Sequence, residues 1–129
     1  MLRSGILNPA LLSLLARVRH TNTLVIADRG FPFWPQIETV DLSLVDDVPT
    51  VDQVLQALLP VFVVGQVFSA EEFGRHNSAE KVTALRNRLG STPLRFEPHV
   101  DFKRRVPQTI GLIRTGDTTP YANLILESA

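Results

Sequence analysis

Residues 113–126 read IRTGDTTPYANLIL, and this stretch decides how the end of the chain folds. Apolar residues at both ends are typical of two buried strands, whereas the residues between them are polar or form turns. Loops that rigid strands hold in place are where binding groups collect. Arg114, Tyr121 and Asn123 offer directional hydrogen bonds but no obvious nucleophile or metal ligand. The stretch therefore indicates a binding loop for a neutral, hydroxyl-rich ligand such as a sugar.

Upstream of this loop, helical and strand patterns alternate. Asn8 followed by Pro9 predicts a helix over 9–19, because asparagine favours the N-cap and proline the first helical position. A second helix begins at a capping box formed by Thr50 and Gln53 and ends before Pro60, and a third begins at a box formed by Asn77 and Glu80 and ends at Gly90. The predicted strands cover residues 24–27, 38–44, 61–68, 94–96, 109–114 and 121–127, and a short helical turn covers 98–105.

This alternation predicts an α/β fold: one domain over residues 1–129, a three-layer sandwich with a mainly parallel sheet flanked by helices. The last two strands are joined by a short loop, so we expect them to pair antiparallel and make the sheet mixed. In such sheets ligands bind beyond the carboxyl ends of the strands. Asp28 follows one of these strands directly.

The composition excludes several classes of function. The chain has 13 basic and 13 acidic residues, and this zero net charge argues against a nucleic-acid partner. There are three histidines and no cysteine, which argues against a disulfide framework and a structural zinc site. No apolar run approaches the roughly 20 residues of a membrane span. We expect a cytoplasmic protein with no metal, no cofactor, no nucleic acid and no membrane partner.

Three segments carry a resemblance to a known family. The tail RTGDTTPYAN (114–123), the opening GILNPALLSLLARVRHTNTLVIADRGFP (5–32) and the segment EPHVDFK (97–103) together resemble the ribose pyranase and fucose mutarotase family. The resemblance implies an isomerase that interconverts cyclic forms of a free aldose, D-ribose or another sugar, without a cofactor. It also implies a ring-shaped homo-oligomer, a decamer, with sites between subunits. The 44% apolar content of so short a chain agrees with buried subunit contacts.

The resemblance also assigns roles to residues. It makes His20 the acid/base group, whereas position alone suggests a cation at a helix end or an ordinary surface histidine. It makes the following residues substrate contacts: Asp28, His99, Tyr121, Ala122 and Asn123. His20 precedes the strand at 24–27 and Asp28 follows it, and the strand between them spans some 13 Å at about 3.3 Å per residue. One sugar can hardly reach both within one subunit, and a site between subunits would remove this difficulty.

Several alternatives stay open. His99 competes with His20 for proton transfer, since both are histidines at positions that match the family. The protein could instead bind a sugar without catalysis, as a sensing or transport-associated module. Arg114 is expected to orient the loop or to pair with Asp117, and His76 is expected to lie in a loop before a helix. Trp34, between two prolines, could pack internally or face a sugar ring.

Overall fold

The computed structural model describes residues 1–129, which form one six-stranded sheet with helices on both faces. The strands are β1 (Thr23–Ala27), β2 (Glu38–Asp41), β3 (Val64–Ala70), β4 (Leu94–Glu97), β5 (Gly111–Arg114) and β6 (Leu124–Ser128). The helices are α1 (Pro9–Arg17), α2 (Val51–Leu58), α3 (Glu71–His76), α4 (Ala79–Leu89) and α5 (His99–Arg105), and a 3₁₀ turn (Val106–Gln108) follows α5. None of the helices combines the length and the apolarity that crossing a membrane requires.

The strand order is β2-β5-β1-β6-β3-β4, and only β6 runs antiparallel to its neighbours. This confirms a mainly parallel, mixed sheet. The expected pairing of β5 with β6 is wrong, because β1 lies between them. The connection from β5 to β6 passes over the end of β1, where Thr115 N–H donates to the Ala27 carbonyl at 2.9 Å and Arg29 N–H donates to the Asp117 carbonyl at 3.0 Å. A strand that is apolar on both faces is most stable in the middle of the sheet.

Alternating residues of the central strands enter two separate apolar clusters. Leu24 and Ile26 belong to a cluster of 18 buried residues that includes side chains of α1, α2 and α4. Val25 and Ala27 belong to a second cluster of 8, on the opposite face, which contains Phe102 of α5. Successive side chains of a strand point to opposite faces. The three-layer α/β sandwich is therefore confirmed.

Two of the three predicted helix starts are confirmed. Asn8 Oδ1 accepts the Leu11 N–H at 2.9 Å, and Thr50 and Gln53 cap each other's backbone N–H groups. The box at Asn77 and Glu80 is wrong, because α4 begins after Ser78 without a side-chain cap. Sequence reasoning also missed α3, which has only 6 residues and is too short to show helical periodicity.

Several strand boundaries differ from expectation. β5 begins at Gly111 rather than at residue 109, and β6 begins at Leu124 rather than at residue 121, because Tyr121 lies in a turn with φ 57°. β2 ends at Asp41, whose carboxylate accepts the Ser43 N–H at 2.9 Å and turns the chain. β3 begins at Val64 rather than at residue 61, because Val61 N–H bonds to the Leu58 carbonyl in a turn that continues from α2. Apolar composition alone did not reveal this turn.

Candidate functional site

A pocket of about 320 Å³ opens at the carboxyl edge of the sheet. It is lined by residues 28–32 and 117–121, together with His99 and Asn123. The parallel strands β1, β4 and β5 end at this edge, and the antiparallel β6 begins there. The topology therefore brings together three segments that are distant in sequence, where ligand pockets of α/β sheets are expected.

Asp28 and Asn123 form the buried base of the pocket. The Asp28 N–H donates to Asn123 Oδ1 at 2.7 Å, and Asp28 Oδ1 accepts the Gly30 N–H at 2.9 Å. Burial raises the pKa of the Asp28 carboxyl above its ordinary 3.8, although hydrogen bonds from the Gly30 and Phe31 N–H groups oppose this shift. The pair offers carboxylate and amide groups to the hydroxyls of a ligand.

His99 forms one wall of the pocket as the first residue of α5. Its backbone N–H donates to Glu72 Oε2 at 2.8 Å, and its ring stacks on Phe102 with 5.9 Å between centroids. Its Nδ1 is buried and has no hydrogen-bond partner in the protein. Burial lowers the pKa of His99 below its ordinary 6.5, and the nearby Lys103 lowers it further. The neutral imidazole that results can both donate and accept a hydrogen bond.

Tyr121 forms the neighbouring wall. Its ring meets His99 edge-on, with 5.1 Å between centroids, and its backbone has a φ of 57° in the left-handed region. Ala122, the next residue, is buried and packs its methyl group into the larger apolar cluster. Of the five predicted substrate contacts, the structure therefore places four side chains around one pocket and the fifth in the core.

Arg114 supports the pocket by binding the backbone of residues 28–32. Its Nη1 donates to the carbonyls of Asp28, at 3.0 Å, and of Phe31, and its Nη2 donates to the Pro32 carbonyl at 3.1 Å. The expected pairing with Asp117 is wrong, because Asp117 instead accepts the backbone N–H groups of Val51 and Thr119. Arg114 thus orients a loop, but the loop is residues 28–32. Sequence analysis could not predict these contacts, because the acceptors are backbone carbonyls that lie far away along the chain.

Gly116 lets the binding loop approach the 45–49 segment. The Asp47 N–H donates to the Gly116 carbonyl at 2.7 Å, and the Gly116 N–H donates to the Pro49 carbonyl at 2.9 Å. A Cβ at residue 116 would collide with the Val45 carbonyl oxygen. Asp47 then holds Thr118, whose backbone N–H and hydroxyl both donate to its carboxylate. Sequence analysis did not single out these contacts.

His20 lies at the opposite edge of the sheet. It is exposed and follows α1 in a turn, where the Thr21 N–H donates to the Ser128 carbonyl at 2.9 Å at the far end of β6. It does not line the pocket. The structure therefore keeps the predicted acid/base residue apart from the predicted substrate contacts within one chain.

Two aromatic residues left open by the sequence receive clear positions. Trp34 packs against Phe31, with 6.3 Å between centroids, and does not line the pocket of its own chain. His76 is the last residue of α3 rather than a loop residue, and its ring lies 5.1 Å from the ring of Tyr121. No three His, Asp or Glu side chains are grouped in a way that could hold a metal ion.

The fold and the pocket define an α/β protein with a small polar ligand site at the carboxyl edge of its sheet. The sequence model of the RbsD / FucU transport protein family matches residues 1–129. The chain therefore belongs to this family, and the resemblance read from its motifs is confirmed. It is 42% identical to a D-ribose pyranase of Geobacillus kaustophilus, over 99% of this chain and 93% of that one. It is 40% identical to a D-ribose pyranase of Chromobacterium violaceum, over 99% and 97%.

Solved structures show the same relationship. Bacillus subtilis RbsD complexed with D-ribose superposes with a TM-score of 0.93 at 34% identity, covering 100% of this chain and 98% of that chain. The fucose mutarotase of Streptococcus pneumoniae in complex with L-fucose superposes with a TM-score of 0.80 at 19% identity, covering 95% and 92%. The second likeness speaks for the fold alone.

Proposed function

We propose that this protein is a sugar isomerase that interconverts the pyranose, furanose and anomeric forms of free D-ribose by acid/base ring opening. The pocket that gathers Asp28, His99, Tyr121 and Asn123 carries the proposal. Relatives named D-ribose pyranase, at 34–42% identity over nearly the whole chain, favour ribose as the substrate. A cytoplasmic location stays a prediction from the sequence.

The chemistry needs only proton transfer and orientation. Ring opening removes a proton from the anomeric hydroxyl, breaks the bond between the anomeric carbon and the ring oxygen, and delivers a proton to that oxygen. Reclosure through another hydroxyl gives the furanose, and reclosure through the same hydroxyl on the other face gives the other anomer. There is no net redox change, so no cofactor is needed. A positioned acid/base group is worth roughly 10²–10⁴-fold in rate.

We assign proton transfer to His20 and sugar orientation to the side chains of Asp28, His99, Tyr121 and Asn123. The contact predicted for Ala122 is assigned to its backbone, because its methyl group lies in the core. Since His20 lies at the far edge of the sheet, we propose that a neighbouring copy supplies it and that the protein is a homo-oligomer, a decamer. Exposed apolar side chains support subunit contacts, among them Leu7, Phe33, Leu44 and Val63, which are 68–77% exposed. In an oligomer, neighbouring copies would cover this apolar surface and would also supply His20 to the pocket.

A second candidate is a sugar-binding or transport-associated module without catalysis, and the separation of His20 from the pocket favours it if the chain acts alone. Saturation-transfer NMR on D-ribose and L-fucose distinguishes the two functions. The isomerase accelerates exchange between ring forms at catalytic protein concentrations, and D-ribose exchanges faster than L-fucose. Ligand resonances that broaden or shift without any faster exchange would establish the binding module. Preferential exchange of L-fucose would instead make the protein a fucose mutarotase.

A further inference from the structure

We infer that His76 is a positioning residue that holds the Tyr121 ring against the sugar pocket; the inference rests on the proposed function for the role of Tyr121. His76 ends α3, and its ring lies against that of Tyr121 with 5.1 Å between centroids and 31° between planes. His76 is not among the residues that line the pocket. It therefore acts through Tyr121 rather than on the sugar.

Tyr121 is a residue that needs such support. Its φ of 57° places it in the left-handed region, which bulky residues adopt only when surrounding contacts impose it. The ring is partly exposed at the pocket and meets His99 edge-on at 5.1 Å. The Tyr121 ring therefore contacts an imidazole from each of two helices, His76 of α3 and His99 of α5.

The same helix end fixes the backbone next to Tyr121. Asn77, which follows α3 directly, donates from Nδ2 to the carbonyls of Phe73, at 2.8 Å, and Pro120, at 2.9 Å. Within α3, Glu72 accepts the His99 backbone N–H at 2.8 Å. This short helix therefore contacts both aromatic walls of the pocket, and His76 is its contact with the ring that faces the ligand.

The position of the ring can be measured without sugar, because Tyr121 is the only tyrosine in the chain. In protein with ring-labelled tyrosine, we expect a nuclear Overhauser effect between the Tyr121 and His76 rings. His76→Ala should shift the Tyr121 ring resonances, because the neighbouring ring is lost. His76→Phe should shift them less, because an aromatic ring still lies beside Tyr121. Arg75→Ala is the matched control, since Arg75 is exposed and its side chain pairs with Glu71 on the same helix. The absence of the Overhauser effect, or equal shifts in the control, would overturn the inference.

Sugar affinity then tests whether the position matters. We expect His76→Ala to raise the KM for D-ribose roughly 2- to 10-fold, equivalent to the 0.5–1.5 kcal/mol of an aromatic pair, with kcat little changed. His76→Phe should restore KM. In a Tyr121→Ala background, His76→Ala should have no further effect on sugar affinity. An equal loss in that background, or a fall in kcat with unchanged KM, would contradict a role through Tyr121. These outcomes differ from failure of the proposed function, in which the wild type would not accelerate ring exchange at all.

Discussion

The two edges of the sheet differ in what a single chain can assemble. At the carboxyl edge, one pocket brings together Asp28, His99, Tyr121 and Asn123 from segments that are far apart in sequence. At the amino edge, His20 lies in an exposed turn, and residues 21–27, which include the whole of β1, separate it from Asp28. The 5 residues of β1 span roughly 16 Å at about 3.3 Å per residue, more than one sugar can bridge. In the proposed function, the sugar is therefore oriented by groups of one chain, whereas proton transfer requires His20 from a second copy.

The largest effect should come from the amino edge. We expect His20→Ala to slow ring exchange roughly 10²–10⁴-fold, because the acid/base group is lost, while sugar affinity stays nearly constant. Exchange NMR and calorimetry measure the two quantities. His99→Ala is the matched histidine variant at the carboxyl edge, and it should mainly weaken binding. If His20→Ala keeps near-wild-type exchange and His99→Ala loses it, the division of labour between the edges is wrong.

A second effect belongs to the carboxyl edge. Asn123→Ala should weaken sugar binding and also lower the free energy of unfolding by roughly 1–3 kcal/mol, because the buried Asp28 N–H loses its acceptor. Sequence reasoning alone assigned Asn123 only to the ligand. Denaturant unfolding and calorimetry check both parts, with Asn87→Ala on the exposed face of α4 as control. If the variant is as stable as wild type, the hydrogen bond between Asp28 and Asn123 contributes nothing to the free energy of unfolding.

A smaller effect should appear as a pH dependence of stability. The pKa of His99 in the folded protein lies below its ordinary 6.5, so folding favours the neutral ring. This contribution to stability is present above pH 6.5 and is lost as the pH falls through the lowered value. The free energy of unfolding of the wild type should therefore fall relative to that of His99→Gln as the pH drops below 6.5. Lys103, Glu72 and Asp28 face His99 unchanged in both proteins, and a difference that stays constant would mean that His99 is not desolvated by the fold.

The smallest expected effect is that of chelation. The chain has no cysteine, and no histidine pair has ligand spacing, so exchange activity should survive dialysis against EDTA. The exchange rate before and after dialysis is the measurement. A loss of exchange activity that a divalent ion restores would show that the reaction requires a metal ion, which contradicts this prediction.

Much of the fold was readable from the sequence because the decisive signals are local. Asn8, Thr50 and Gln53 cap helices within their own segments, and apolar runs mark the central strands. The sequence did not predict that β1 lies between β5 and β6, since the position of a strand in the sheet depends on which strand is best covered on both faces. That is a property of the assembled sheet rather than of any one segment.

The site divides in the same way. Motif resemblance pointed to Asp28, His99, Tyr121 and Asn123, and the structure gathers their side chains around one pocket. It did not point to Arg114 as the support of residues 28–32, whose carbonyls it binds more than 80 residues away in sequence. Nor did it reveal α3, because 6 residues are too few to show a helical period. The residues that support a site leave weaker signals than those that line it.

Mixing two inactive variants tests most directly whether a site needs two copies. Chains with His20→Ala keep an intact pocket, and chains with Asp28→Asn keep an intact His20. After unfolding and joint refolding at equal ratios, about a quarter of the sites should combine an intact pocket with an intact His20 from a neighbour, if subunits assemble at random in a symmetric ring. We predict that the mixture regains about that fraction of wild-type ring exchange, while each variant refolded alone stays inactive. A mixture as inactive as its components, with light scattering showing mixed oligomers, would contradict a site shared between subunits.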